Sequence, residues 1–451
     1  MDRSDALSED KIPSLLWRFS LPAITGVIVN ALYNVIDSIF VGQGVGEIGL
    51  VAVTIAFPLM VIIMGIGMFV GLGAATLVSI RLGEKDKDGA ELVLGNACTM
   101  IVVFMFISTA VALPNLDNLL TLLGATPDVM PYARDFAAII LSGSIFMHLG
   151  FGLNGIINAQ GDPKTALKTM LIAALLNCLL NPLLIFGLKM GIKGSAWATV
   201  LSQAVAAIWV IVYFLRGNGT LNLRLRYLSL RREIILGIAK IGLAPFLMQI
   251  CTSLVMLIFN FSLLKYGGEL AVAIFGIINR ILFLTLMPVI GISQGAQPII
   301  GYNYGAGKYD RVLETAKYAV AAATVVCLIS FTVVEIFAEP IFGLFSGSQE
   351  MIRMGAWGLR LFLMMLPVLG FQIICANYFQ AVNQAGYSIV FNLLRQMFLL
   401  VPLVYVLPKI WGLAGIWLAE PFSDFGAALL TGLIFSLETK RLKKLNQTAP
   451  A

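Results

Sequence analysis

Charge is scarce in this chain. Asp, Glu, Lys and Arg together make up 12% of its 451 residues, about half the share of an ordinary soluble domain, which excludes a water-soluble globular protein. Histidine is almost missing: His148 is the only one, so an imidazole-built metal centre is excluded and His148 itself reads as a packed or hydrogen-bonded residue. The five cysteines (Cys98, Cys178, Cys251, Cys327, Cys375) are odd in number, lie within apolar runs and lack C-x-x-C spacing. Neither a disulfide frame nor a zinc site is indicated, and they read as small packing residues. A cleavable leader is not expected, because the polar N-terminus precedes an apolar run far longer than a signal core.

What the chain has instead is lipid-compatible length. It is 59% hydrophobic, with a mean hydropathy of +0.92. At about 20 apolar residues per crossing, the sequence predicts twelve spans, near 15–42, 49–80, 92–113, 132–157, 165–188, 193–215, 237–265, 269–302, 312–337, 353–380, 387–408 and 412–437. The fold class expected is an all-α membrane protein. Lys and Arg concentrate in the loops after even-numbered spans and at the termini, for example Arg81, Lys85, Arg224, Arg226, Arg231, Lys308 and Lys440. The positive-inside rule then puts both termini in the cytoplasm of a multi-pass protein of the inner or plasma membrane. The same placement explains the net charge of +6 as a topology signal, so the lipid bilayer and no nucleic acid is the expected partner.

The chain repeats itself at a spacing near 222 residues. Pro22 matches Pro245, Leu82-Gly83 matches Tyr304-Gly305, Gln160 matches Gln380, Pro182 matches Pro402, and Gly191-x-x-Gly194 matches Gly412-x-x-Gly415. Six spans plus six, starting on the same side, form a parallel repeat about a pseudo-twofold axis along the membrane normal. The expected organisation is an N-terminal six-helix lobe (1–215), a basic cytoplasmic linker (216–236), a C-terminal six-helix lobe (237–440) and a cytoplasmic tail (441–451). Two such bundles can rock to expose a cleft to alternate sides.

Three motifs are set aside. Gly44-Val-Gly46-Glu-Ile-Gly49 has the G-x-G-x-x-G spacing but joins two spans, with no strand before it, and reads as a loop. Gly291-Ile-Ser293-Gln-Gly295 has the G-x-S-x-G spacing but lies inside a span, with His148 the only available base. Gly67-x-x-x-Gly71 is a close-packing motif. No enzymatic constellation remains.

An intramembrane charge does remain. Asp37 falls deep in the first span, and Asn30, Asn34 and Asp37 at i, i+4, i+7 share one helical face. A carboxylate there costs at least a few kcal/mol unless a cavity or partner receives it, and so marks an ion or substrate path. Pro22 in the same span removes a backbone hydrogen bond and supplies a hinge. Counting 1.5 Å per residue from the outer ends, Asp37, Asn181 and Thr199 lie about 10 Å below the outer surface, with Asn177 one turn deeper. One carboxylate, two amide carbonyls and a hydroxyl suit a bound Na⁺, or a proton on Asp37, and the two would compete for that group.

In the second half Asn260 takes the position of Asp37, and the buried charges are elsewhere. Arg280, Arg395, Glu420 and Asp424 lie at similar depth and are expected to form one ion-paired cluster; the alternative is that Glu420 or Asp424 meets a cationic substrate. Met64, Met68, Met256, Met287, Phe283 and Tyr302 would suit an adaptable cleft wall.

Leu21-Pro22-Ala23 with Asp37 after it, Gln160-Gly161-Asp162, Asn177-x-x-x-Asn181-Pro182, and Gln297-Pro298 followed by Gly301-Tyr302-Asn303-Tyr304-Gly305-Ala306 resemble the multidrug and toxic compound extrusion (MATE) family over essentially the whole chain. The chain is more similar to the bacterial branch that couples through its N-terminal lobe. The resemblance implies a secondary antiporter, working as a monomer without cofactor, that exports cationic or amphipathic drugs while H⁺ or Na⁺ enters. It places the cation site at Asp37, Asn177, Asn181 and Thr199, with no other metal. Asn181 departs from that branch, which commonly has Asp before this proline. A related exporter or flippase of a lipid-linked sugar or metabolite is the alternative.

Overall fold

The computed structural model describes residues 5–217, 219–345 and 348–448, and among these the chain is helical with no strand. Helices α1 (Ile12–Val45), α2 (Glu47–Gly83), α3 (Lys87–Ala112), α4 (Met130–Ala159), α5 (Pro163–Pro182, continued by a π turn, Leu183–Gly187) and α6 (Ile192–Leu215) make the first six crossings. The next helical stretch, Arg232–Gly305, has 74 residues, roughly 110 Å at 1.5 Å per residue and far too long for one crossing. Its backbone leaves the helix at Gly268 (φ 67°, ψ −167°), which divides it into α7 (232–267) and α8 (269–305). There follow α9 (Tyr309–Gly343), α10 in two pieces (Gln349–Phe362 and Leu366–Ala381) bent by 46°, α11 (Ala385–Trp411, with a π stretch at Leu394–Leu400) and α12 (Leu413–Thr448). The described residues therefore form the twelve expected crossings. α12 carries the expected tail region on as helix to Thr448, and 449–451 lie outside the described residues.

The expected loop at Gly44–Gly49 contracts to a single non-helical residue, Gly46 at φ 83°, where only glycine turns the chain without strain. Gly291 and Gly295 face the backbone of Ile24 and Ser20, where an added Cβ would come within 2.7 Å of a backbone nitrogen. The G-x-S-x-G spacing is thus a small-residue helix contact.

The chain forms two compact units. One contains Thr25–Phe246 and the stretch before Lys11; the other contains Lys11–Ile24 and the chain from Leu247. The division crosses α1 between Ile24 and Thr25 and α7 between Phe246 and Leu247, each within two residues of a proline (Pro22, Pro245). It does not fall at the basic segment 216–236, because that segment is pinned along α3. Arg224 Nε lies 2.8 Å from Oε2 of the fully buried Glu91, and Asn222 N donates to Glu91 Oε1. Asn96 bonds the Tyr227 and Ser229 carbonyls and accepts from Arg231 N, while Thr99 donates to Leu228 O. Buried polar groups of α3 find long-range partners in this segment, which hold it in place.

Inside the first unit, α2, α4 and α6 pack through small residues. Gly71 faces Gly152, where a Cβ would lie 2.8 Å from the opposing Cα, and Gly150 faces Ala207. Helices in lipid gain by close van der Waals approach, which such residues permit. The five cysteines are free, and Cys251, Cys327 and Cys375 are buried.

Candidate functional site

The end of α5 and the start of α6 are shaped by three local breaks. Pro182 has no N–H and frees a carbonyl of the preceding turn; the π turn Leu183–Gly187 absorbs the disturbance. The chain then reverses through Gly191 at φ 56°. Gly194 lies so close to Leu184 that a Cβ would meet its backbone carbon and oxygen at 2.9 Å, which presses α6 against α5. The second half repeats the device with Gly412 at φ 56° and Gly415 against the Leu407 backbone.

This local geometry brings Asp37, Asn177, Asn181 and Thr199 together, all within the first unit. Asn181 Nδ2 donates to Asp37 Oδ1 at 2.8 Å and to Asn177 Oδ1 at 2.8 Å, and Asn177 Nδ2 donates to Thr199 Oγ1 at 3.2 Å. Asn177 and Asn181 are fully buried and Thr199 nearly so; Asp37 is half-buried. Two further residues belong to the cluster. Ser195 Oγ donates to Asp37 Oδ1 at 3.1 Å, and Tyr33 lies beside Thr199 and Asp37. Both were findable by spacing, since Ser195 is one turn before Thr199 and Tyr33 one turn before Asp37.

The cluster has more acceptors than donors. Asn181 and Ser195 both converge on Oδ1 of Asp37, while the buried Oδ1 of Asn181 has no hydrogen-bond partner. A buried acceptor without a donor is costly in a low-dielectric interior. A monovalent cation or a proton would relieve that excess, so the donor set fits the ion the sequence points to. Among the described residues no group of three or more His, Cys, Asp or Glu side chains gathers.

The other expected path residues differ in exposure. Asn30 and Asn34 are exposed and bonded to each other. Met64, Met256 and Phe283 are exposed, at 40%, 46% and 56%, and Met68 is half-buried. Met287 is buried, 3% exposed.

The second-unit charges also differ from expectation. Arg395 Nη1 reaches Asp424 Oδ1 at 2.9 Å and Glu420 Oε1 at 3.2 Å, with side chains 15%, 5% and 13% exposed respectively. Ser423 Oγ donates to the Arg395 carbonyl. Arg280 is not part of this cluster: it is exposed on α8 and makes no ion pair among the described residues. Similar depth put it with the others, but depth fixes only one of three coordinates. The cluster is one cation against two anions, not two against two.

Comparison with known proteins agrees with this architecture. The MatE family model matches residues 22–183 and again 245–406, one copy per half. The chain belongs to the MatE family. MatE proteins are membrane transporters and not enzymes. The MatE relatives include the multidrug export protein MepA of Staphylococcus haemolyticus, 28% identical over 96% of this chain and 95% of its own length. A solved MATE in a bent conformation matches with a TM-score of 0.94 at 26% identity, covering 99% of this chain and all of that one. A MOP superfamily transporter from Pyrococcus furiosus, described as having a binding pocket of reverse polarity that suggests a different function, matches at 0.91 and 27%, covering 98% of each chain.

Proposed function

We propose that this protein is a secondary active multidrug exporter in which an entering H⁺ or Na⁺ is held at Asp37, Asn177, Asn181 and Thr199, and a cationic or amphipathic drug leaves. The observation that carries the reading is the Asp37 carboxylate, submerged in one half of the chain, beside an amide oxygen that lacks a donor. Family membership and the MepA relatives, named for multidrug export, support the efflux direction.

In this cycle the cation enters from outside, neutralises Asp37 and satisfies Asn181 Oδ1. The segment of α1 beyond Pro22 then shifts and drug release is favoured. Loss of the ion to the cytoplasm returns the carboxylate to its Asn181 and Ser195 donors. Alternating access follows from rocking of the two repeats, with Pro22 as the hinge in α1. The protein works as a monomer in the plasma or inner membrane, both termini cytoplasmic. Dye efflux from proteoliposomes, with Na⁺ and pH gradients imposed separately, tests the reading; efflux indifferent to both gradients would remove it.

Arg280 favours a second reading. An exposed guanidinium in the apolar helix α8, without an ion pair among the described residues, suits an anionic cargo such as a lipid-linked sugar phosphate. A flipping assay with such a lipid, run beside the dye assay, separates the two.

A further inference from the structure

His148 sits inside the first unit, 3% exposed, on the face of α4 that packs against α2. Gly67 makes its approach possible, since a Cβ there would overlap the imidazole ring. Both ring nitrogens lie within hydrogen-bond distance of a backbone carbonyl: Nδ1 is 2.7 Å from Ser144 O in its own helix, and Nε2 is 2.9 Å from Ile63 O in α2.

A neutral imidazole carries one N–H and one lone pair. Facing two carbonyl oxygens, it satisfies one and sets its lone pair against the other. Only the imidazolium donates to both. We propose that His148 is an exchangeable proton site, whose protonated form clasps α4 to α2 through Ile63 O and whose neutral form releases that contact. The ligand is a single H⁺, taken from water and returned to it, with no other bond made or broken.

The surroundings make the proton exchangeable rather than permanent. The elements packed against α4 are α2, α3, α5, α6 and the short helix Leu116–Leu122, and their charged residues sit near helix ends: Lys87, Asp88 and Glu91 on α3, Lys164 and Lys168 on α5, Lys193 on α6 and Asp117 on the short helix. On α2 the charged residues Glu47 and Arg81 are sixteen and eighteen residues from Ile63, roughly 24 and 27 Å along the helix. On α4 itself Arg134 and Asp135 are more than three turns away. An imidazolium there is held by two carbonyl dipoles against the cost of burying its charge, and two such opposing effects leave it able to gain or lose a proton. The site is separate from Asp37, and its test does not depend on Asp37 being the coupling group.

Because the chain has a single histidine, ¹⁵N-histidine labelling reports this ring alone. Solid-state NMR of the labelled protein in liposomes, over roughly pH 5 to 9, is expected to show protons on both ring nitrogens at the acid end. One proton should be lost as pH rises, together with a change at ¹³C-labelled Ile63 carbonyl. A single neutral tautomer at every pH would overturn the proposal, as would an imidazolium that never titrates or a titration that leaves the Ile63 signal fixed. As a functional arm, His148→Gln should remove one limb of the efflux-versus-pH profile. An unaltered profile would show that the proton has no part in transport. Loss of efflux in Asp37→Asn with an unchanged ¹⁵N titration would keep the two sites distinct.

Discussion

Asn181 donates a hydrogen bond to Asp37 across 2.8 Å although 144 residues of chain separate them. That bond ties α1 to α5 at the level where the first half of the chain has its surplus of acceptors. Asp37→Asn keeps the shape and a hydrogen-bonding group but removes the charge. It is expected to reduce gradient-driven dye efflux to the level of protein-free liposomes, with thermal stability in detergent unchanged.

Asn181→Asp places a second carboxylate in the cluster. Added negative charge beside Asp37 strengthens cation binding, and about 1.4 kcal/mol of extra attraction is a tenfold gain in affinity. The expected outcome is roughly a tenfold or greater fall in the ion concentration giving half-maximal efflux, measured by titrating external Na⁺ at fixed pH and external pH at fixed Na⁺.

Arg395 is the sole cation against Glu420 and Asp424, both nearly buried. Arg395→Met strands two carboxylates and should cost about 3 to 5 kcal/mol, the usual penalty for breaking a buried pair. Glu420→Gln removes the charge in excess and should be neutral or stabilising. Thermal unfolding of the two variants checks the contrast.

Gly194→Ala touches neither Asp37 nor its donors, yet its Cβ would meet the Leu184 backbone. Overpacking of this kind costs about 1 to 3 kcal/mol. By moving the start of α6 it should displace Ser195 and Thr199 and lower efflux, while Gly187→Ala, whose Cβ would meet a side chain at 3.5 Å, should leave transport intact.

Arg224→Ala leaves Glu91 buried with one backbone donor. The segment 219–231 should loosen from α3, exposing its amides to hydrogen exchange and costing about 1 to 3 kcal/mol.

The sequence determined the number of crossings, the repeat and the identity of the submerged acid. Apolar run length, period and an acid placed in lipid each act locally or by simple count, so each is legible along one dimension. The sequence puts Asp37, Asn181 and Thr199 at one level and Asn177 a turn deeper, because depth too can be counted along a helix. Rotation about the helix axis and choice of neighbour cannot be counted. For that reason the sequence places Arg280 in a cluster it does not join, whereas Ser195 and Tyr33, one turn from Thr199 and Asp37, follow from spacing alone. Only the tertiary structure decided that the basic segment lies fixed on α3, and that α1 and α7 each run from one compact unit to the other. Those outcomes depend on buried polar groups such as Glu91 and Asn96 finding partners more than a hundred residues away, and that pairing is settled only when the helices pack.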